Sequence, residues 1–236
     1  MTGIASANTI AEVAALIGDV ARANILSTLM DGRALTASEL AWHAGVSAST
    51  TSGHLSKLLH AHLVAMERQG RHRYYRLASA DIAHAVEALM TVAAMGPKRH
   101  RPASPKDDAL RAARTCYDHL AGRLGVAIAD SLCRRGHVAL RTEAGRVTEA
   151  GQRFFADFGV NIDLTLRPKR PVCRTCLDWS ERRPHIAGQL GASLLHRTLD
   201  LGWVMRIDNS RALKITPAGK RGFAVTFDLE ADALTG

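Results

Sequence analysis

Four cysteines and several histidines after residue 115 have residue types and spacings that could carry chemistry. Cys173 and Cys176 form a C-x-x-C pair, and His185 follows them in the same segment. Cys116 precedes His119 by three positions, a spacing that would place both on one face of a helix. If these segments pack together, three thiolates and one of the two imidazoles would form a tetrahedral set typical of zinc.

The same residues allow two other interpretations. A C-x-x-C pair can cycle between thiols and a disulfide, which would make this region a sensor of redox state or electrophiles. Alternatively, Cys116 is a small buried hydrophobe and the C-x-x-C pair lies idle in a loop. Cys133 is expected in the core. The residues alone leave metal, redox and purely structural roles open.

A second candidate site lies in the segment between the C-x-x-C pair and His185. Trp179, Arg182 and Arg183 combine an indole with two guanidiniums, and a helix is expected to begin just after them. Such a set could hold an anionic or aromatic small molecule. The alternative is a loop in which Trp179 seals the core and water solvates the arginines.

An internal duplication indicates which elements position these residues. Arg114–Asp118 resembles Arg174–Asp178 at four of five positions, and His119–Gly125 resembles His185–Gly191 at five of seven. The second copy carries an insertion, Trp179–Pro184. The copies therefore predict the same order of secondary structure.

Each copy continues as an apolar helix and ends in a T-x-A-G turn, Val147–Gly151 in the first and Ile215–Gly219 in the second. A helix, a strand and this turn are typical of the end of a winged helix. We therefore predict that residues 106–236 form a domain that senses an effector or supports dimerisation. It would contain two degenerate winged-helix-like repeats, at about 106–166 and 167–236.

The first hundred residues predict two short helices joined by a tight turn. Thr36 and Glu39 have the spacing of a capping box, and Gly45 can end the helix that they begin. The next helix, from about Ala48 to His62, combines a leucine face with a small polar face suited to the major groove. The candidate DNA contacts here are Ser47, Ser49, Thr50, Thr51, Ser52, His54 and Lys57.

A predicted β-hairpin follows this helix. Leu63–Arg68 and Arg71–Leu77 have strand-like sequences, and Gln69-Gly70 is the expected turn between them. A hairpin after a recognition helix is a wing, whose cationic tip would contact phosphates or enter a minor groove. The arginines at this tip are Arg68, Arg71 and Arg73.

The segments Val46–Leu55 and Arg68–Leu77, in this order, resemble the ArsR-type (arsenic-repressor) winged helix-turn-helix family. The resemblance covers residues 9–95, about two fifths of the chain. It implies a dimer formed through the first and last helices of this domain. It also implies that the protein binds double-stranded promoter DNA and represses it until an effector, a metal or a small molecule, releases it.

The metal sites that the resemblance would imply are missing from this domain. Arsenic sensors of the family carry a Cys-x-Cys pair before the recognition helix, and residues 39–43 contain no cysteine. Asp81 and His84 form a lone pair on the last helix, without the second histidine pair of the zinc and nickel sensors. We therefore expect the effector to be recognised in the C-terminal region.

Bulk properties agree with a DNA-binding regulator. The 236 residues carry a formal charge of +9, which favours a polyanionic partner. No signal peptide or membrane span is recognisable, so we expect a cytoplasmic protein without a membrane partner. The sequence contains no nucleotide-binding loop, paired carboxylate motif or nucleophile elbow, so we expect no enzymatic activity; a Cys–His enzyme and a ligand-free architectural protein are the alternatives.

The predicted fold is mainly α with small β-hairpin wings. A winged helix-turn-helix domain is expected over residues 1–95, and the C-terminal domain over residues 106–236. Residues 96–105 between them are basic and contain three prolines, which predicts a linker. Ser104-Pro105 fits the start of the next helix.

Overall fold

The computed structural model describes residues 6–96, 105–141, 144–160 and 170–234. The chain divides into two compact units, Met1–Val86 and Glu87–Gly236. Most of the predicted linker, including the expected cap Ser104, lies outside the described residues. No helix among the described residues is long and apolar enough to cross a bilayer.

The first unit is a winged helix-turn-helix. Its elements are α1 (Ala7–Ile17), α2 (Val20–Leu29), β1 (Leu35–Thr36), α3 (Ala37–Ala44), α4 (Ala48–His60), β2 (Val64–Gln69) and β3 (His72–Leu77). A further helix, α5 (Ala80–Met95), begins in this unit and continues into the second. The three strands form one antiparallel sheet in the order β1-β3-β2.

Local sequence signals explain the helix-turn-helix. The Thr36 side chain accepts from the backbone N–H of Glu39, whose carboxylate accepts from the backbone N–H of Thr36, so the predicted capping box is present. Gly45 ends α3 in the left-handed conformation, with φ of 68°. Ser47 then caps α4, and Leu55 and Leu58 bury its apolar face.

The wing turns one residue later than predicted. The residues that close the hairpin are Gln69 and His72, so the turn consists of Gly70 and Arg71 rather than Gln69 and Gly70. Gly70 adopts φ of 59°, which a two-residue hairpin turn requires of its first residue. This register places Arg71 at the tip and Arg68 directly opposite Arg73.

The second unit contains the same order of elements twice. After α6 (Pro105–Ala112), the first half consists of β4 (Arg114–Cys116), β5 (His119–Ala121), α7 (Gly122–Arg134), β6 (Val138–Leu140), β7 (Gly145–Val147) and α8 (Glu149–Asp157). The second half consists of β8 (Arg174–Leu177), β9 (Pro184–Ala187), α9 (Gly188–Asp200), β10 (Val204–Arg206), β11 (Leu213–Ile215) and α10 (Pro217–Phe227). Each half thus runs hairpin, helix, hairpin, helix, and a 3-10 turn (Ala231–Leu234) follows.

The T-x-A-G turns begin the last helix of each half in the same way. Thr148 caps α8 and accepts from the N–H of Gly151, and Thr216 caps α10 and accepts from the N–H of Gly219. A Cβ on either glycine would collide with a backbone carbonyl, that of His137 or of Trp203. The glycines therefore allow each helix to pack closely against the preceding hairpin.

One hydrophobic core joins the two halves of the second unit. The central helices α7 and α9 contribute the fully buried Leu124 and Leu190. Aromatic side chains fill the space beneath the last helices, where Phe155, Phe223 and Phe227 are almost completely buried. The first hairpins cross between the halves, because β5 packs against α9 and β9 packs against α7.

Candidate nucleic-acid interface and cysteine–histidine centre

The polar face of α4 is exposed over most of its length. Most of the side chains expected to contact DNA are accessible on this helix; these are Ser47, Ser49, Thr50, Ser52 and Lys57. Ser47 also holds the helix start, since its Oγ accepts from the N–H of Thr50 at 3.1 Å. The exposed side chains are short, so the backbone of α4 could approach a groove closely.

Two predicted contacts on this helix do not belong to the exposed face. The prediction that Thr51 contacts DNA is wrong, because Thr51 is fully buried and its hydroxyl donates to the carbonyl of Ser47 at 2.9 Å. His54 is mostly shielded, and its Nδ1 lies 3.4 Å from Nη1 of Arg22 and 3.9 Å from a carboxylate oxygen of Asp19. His54 therefore faces the start of α2.

Ser56 belongs to the exposed face but was missed from the sequence. It lies one helical turn after Ser52 and two turns after Ser49, and all three are exposed. The helical period of 3.6 residues, applied to Ser49, would have identified it and would have excluded Thr51.

The wing presents a cationic edge. Arg68, Arg71 and Arg73 are all exposed, and Arg68 donates to the carbonyl of Gly70 at 3.2 Å. Arg68 and Arg73 are directly opposite each other across the hairpin, an arrangement that is unfavourable for like charges on their own. None of the ion pairs among the described residues involves these arginines, so they can all bind an anion.

The first hairpins of the two halves bring two cysteines and two histidines together. Cys116 pairs with His119 across β4–β5, and Cys176 pairs with His185 across β8–β9. One donor atom from each residue lies within 4.8 Å of the others, and all four residues are buried. We call these four residues the Cys–His centre.

Two parts of the sequence prediction for this centre are wrong. Cys116 and His119 lie on facing strands rather than on a helix, because Tyr117 turns the chain with φ of 58°. Cys173 is not among the converging donors; it lies before β8, and its sulfur rests against Gly145. Burial, with the nearby Cys133, raises the pKa of the Cys173 thiol to about 12. Both His119 and His185 belong to the centre, whereas the sequence predicted that only one of them would.

Short distances within the centre constrain its protons. The Nε2 atoms of His119 and His185 are 3.1 Å apart, a distance at which one ring must donate to the other. Burial and the charge of His119 lower the pKa of His185 well below its usual value, whereas Cys116 and Asp118 raise that of His119 despite burial. These directions favour His119 as the ring that donates to His185.

The two sulfur atoms have different surroundings. The Sγ atoms of Cys116 and Cys176 are 4.0 Å apart, and the Cys116 thiol donates to a carboxylate oxygen of Glu87, on α5, at 2.8 Å. The hydrogen bond to Cys176 and burial raise the pKa of Cys116 well above its usual value. A raised pKa disfavours the thiolate of Cys116, which is the nucleophilic form.

A carboxylate lies behind each histidine of the centre. Asp118 Oδ1 is 3.3 Å from Nδ1 of His119, and Asp178 Oδ2 is 3.8 Å from Nδ1 of His185. Arg170 donates to Asp118, and the fully buried Arg114 donates to Asp178 at 2.8 Å. Both imidazoles therefore direct Nδ1 toward a carboxylate and Nε2 toward the centre.

The side chains of the predicted small-molecule site, Trp179, Arg182 and Arg183, lie in and beside the loop between β8 and β9. The guanidinium of Arg114 stacks 4.5 Å from the centroid of Trp179. Arg182 donates to the carbonyl of Ala94 at 3.0 Å, and Arg183 forms an ion pair of 2.7 Å with Asp130. Each of the three loop side chains thus contacts a different partner within the second unit.

Comparisons with known proteins agree with the geometry of the first unit. Residues 19–65 match the family described as bacterial regulatory protein, arsR family. The uncharacterized HTH-type transcriptional regulator YdfF of Bacillus subtilis is 44% identical over 214 residues, which are 91% of this chain and 95% of that protein. The HTH-type transcriptional regulator KmtR of Mycobacterium tuberculosis is 32% identical over 110 residues, 45% of this chain and 84% of that protein.

Solved structures also match this part of the chain. The homodimeric winged helix-turn-helix DNA-binding domain of a possible ArsR-family transcriptional regulator from Mycobacterium bovis is 25% identical, with a TM-score of 0.36. The match covers 44% of this chain and 100% of that structure. The family assignment rests on the relative that matches nearly the whole chain. The chain belongs to the ArsR family of bacterial HTH-type transcriptional regulators, and it is a DNA-binding transcriptional regulator.

Proposed function

We propose that the protein is a dimeric repressor that reads promoter DNA with α4 and the wing. The observation that carries this proposal is the combination of an exposed hydroxyl-rich helix face with three exposed wing arginines in one unit. Short hydroxyl side chains can bond base edges or phosphates, and guanidiniums bind phosphates. With its operator in the bacterial chromosome, the protein would act in the cytoplasm.

A second copy of the chain is the proposed partner of two apolar surfaces. Helix α1 buries none of its residues, and Ile10 is 62% exposed. On α5, Leu89 and Val92 are 46% and 60% exposed. Such apolar helix surfaces are typical of obligate dimers, and the first and last helices are the ones that the family resemblance implied.

The effector is proposed to act on the second unit. The Cys–His centre is the buried group of chemically reactive side chains there, and it contacts α5 through Glu87. Redox cycling of the C-x-x-C pair is less favoured, because Cys173 lies outside the Cys–His centre that contains Cys176. We further propose that the two halves are degenerate winged-helix-like repeats, supported by their identical element order and their matching T-x-A-G caps.

Replacing Arg71 and Arg73 with alanine is expected to weaken DNA binding and to flatten its salt dependence. Each lost phosphate contact lowers the slope of log K against log salt by about 0.9, so the double variant should lose about 1.8. The measurement is a titration of operator DNA by fluorescence anisotropy at several salt concentrations.

The matched control removes two exposed arginines from the second unit, with Arg146→Ala and Arg153→Ala. This control changes the net charge by the same amount but should leave the slope nearly unchanged. An equal loss of slope in both variants would show that the wing makes no specific phosphate contact and that only net charge matters.

Replacing Ser52 and Ser56 with alanine is expected to change which DNA sequences are preferred more than the overall affinity. Both hydroxyls lie on the exposed face of α4, so they can contact base edges. Selection from a randomised duplex pool would measure the preference. Thr51→Val is the control: it should lower stability, because Thr51 is buried, while leaving the preferred sequence intact. An unchanged preference in the serine variant would mean that another segment reads the bases.

A further inference from the structure

We propose that the Cys–His centre binds one zinc-class divalent ion in a tetrahedral site of two thiolates and two imidazoles. This ligand set is not the one that the spacing of the sequence suggested, since Cys173 is excluded and both His119 and His185 take part. Each half of the second unit supplies one cysteine and one histidine.

The donor separations match a tetrahedron around such an ion. With Zn–S bonds of about 2.3 Å and Zn–N bonds of about 2.0–2.1 Å, the edges should be roughly 3.8 Å between sulfurs and roughly 3.3 Å between nitrogens. The observed separations are 4.0 Å for the sulfurs of Cys116 and Cys176 and 3.1 Å for the nitrogens of His119 and His185. Small rotations of the side chains would complete the site.

Charge and burial also favour an ion at this position. Two thiolates neutralise a divalent cation, so the loaded site would carry no net charge in an interior where an unpaired charge is costly. Soft sulfur and borderline imidazole donors select zinc-class ions over magnesium or calcium. All four donors are buried, a feature typical of a closed structural or sensory site rather than a hydrolytic one.

The surrounding carboxylates hold the imidazoles in the orientation that a metal needs. Metal-bound histidines usually direct their second nitrogen to a carboxylate, which fixes the tautomer and makes the ligand more basic. Asp118 and Asp178 occupy this position behind His119 and His185, at 3.3 and 3.8 Å. Arg170 and Arg114 hold these carboxylates in place. Each histidine therefore has a carboxylate on the side of its Nδ1, nearer to His119 than to His185.

The insertion in the second half leaves the donors in register. Most of the insertion, Trp179–Arg183, lies in the loop between β8 and β9, and its last residue, Pro184, pairs with Leu177 beyond the Cys176–His185 pair. Cys176 still faces His185 directly, as Cys116 faces His119. The two hairpins have loops of different length, but each places a cysteine directly opposite a histidine. This is expected if the two pairs bind the same ion.

We expect metal binding at this site to change the contacts of α5 as well, an inference that rests on the proposed function. The ion takes the place of the thiol protons of Cys116 and Cys176 and of the proton between the Nε2 atoms of His119 and His185, and these protons are released to water. Glu87 then loses the hydrogen-bond donor that it now has at 2.8 Å and faces a metal-bound thiolate instead. Because Glu87 lies on the same helix as Leu89 and Val92, metal binding should alter the surface proposed for dimerisation, and with it the DNA affinity.

The test of the site uses the reduced full-length chain, stripped of metal with a chelator and titrated with zinc against a chromophoric competitor. We expect one zinc per chain, and zinc-edge X-ray absorption should fit two sulfur ligands at about 2.3 Å and two nitrogen ligands at about 2.0 Å. This measurement needs no variant, so misfolding cannot affect it. Three sulfur ligands, or oxygen and nitrogen ligands only, would overturn the proposal.

Variants assign the ligands. The double variant Cys116→Ser, Cys176→Ser should lose the zinc, while the control Cys133→Ser, Cys173→Ser should keep one per chain. Retention of zinc by the first variant, or its loss in the control with circular dichroism unchanged, would refute the assignment. Cobalt bound by the wild type should give visible bands typical of four-coordinate sulfur and nitrogen ligands; a six-coordinate spectrum would also refute it.

Coupling to DNA is measured separately, as operator affinity with and without zinc. We expect a change of about 5-fold or more, within the usual range of allosteric coupling, and a smaller change in Glu87→Gln. Zinc binding without any change in DNA affinity would overturn the role of Glu87 and leave the site intact. Failure of the metal-free protein to bind DNA at all would instead count against the proposed repressor.

Discussion

The double variant Leu89→Arg, Val92→Arg is expected to be a monomer that binds operator DNA at least about 100-fold more weakly than the wild type. Both side chains are exposed and apolar on α5, so a dimer that buries them would bring four arginines together. Opposing like charges in an interface cost several kcal/mol, and each 1.4 kcal/mol corresponds to about tenfold in affinity. Analytical ultracentrifugation gives the oligomeric state, and anisotropy gives the DNA affinity.

Val225→Arg is the matched control for this experiment. Val225 is 85% exposed on α10, so it offers the same chemical change at a surface that the proposal leaves free. The control should remain dimeric and bind DNA normally. If the α5 variant also stayed dimeric, the interface would have to lie elsewhere and the proposed role of α5 would be wrong.

Asp178→Ala is expected to lower the free energy of unfolding by about 3–5 kcal/mol, because it leaves the buried guanidinium of Arg114 without its counter-charge. Both side chains of this ion pair are completely buried, and Asp178 also accepts from the backbone N–H of Gly122 at 2.7 Å. Chemical denaturation of the metal-free full-length chain, followed by tryptophan fluorescence, measures the effect. Working without metal separates the ion pair from any contribution of the Cys–His centre.

An exposed ion pair of the same type provides the control. Arg134 and Asp228 are 2.8 Å apart, but their side chains are 59% and 76% exposed. Exposed pairs contribute about 0–1 kcal/mol, so Asp228→Ala should change the unfolding free energy very little. Equal effects of the two variants would mean that burial does not distinguish these pairs.

The first unit could be predicted because its signals are local. The capping box at Thr36 and Glu39, the left-handed Gly45 and the hairpin sequence each fix a backbone conformation within a few residues. Only the position of the wing turn was off by one residue, because a two-residue turn can be placed at neighbouring positions in the same polar stretch. Residue type alone does not distinguish Thr51 from Ser56, since both carry a hydroxyl. The helical period does, because it places Thr51 on the buried face of α4 and Ser56 on the exposed face.

The Cys–His centre was harder to predict because it depends on contacts between distant segments. A spacing of three suggests a helix, but Tyr117 and Asp118 form a tight turn that places Cys116 opposite His119. The duplication did contain the answer, since Cys116 and His119 both have counterparts in the second half whereas Cys173 does not. The C-x-x-C motif drew attention to Cys173 although the repeat argued against it.

The loop between β8 and β9 exists in only one of the two halves, and this has a consequence for how the architecture could have arisen. A single hairpin–helix–hairpin–helix ancestor would have shared the Cys–His centre between two separate chains, so any elaboration would have appeared twice around the symmetry axis. Fusion into one chain removes that constraint. The loop could then grow on one side alone, where Arg182 now reaches the carbonyl of Ala94 on α5. Such a fused pair would gain a contact to α5 on the side of the loop, in addition to the contact that Cys116 of the first half makes with Glu87.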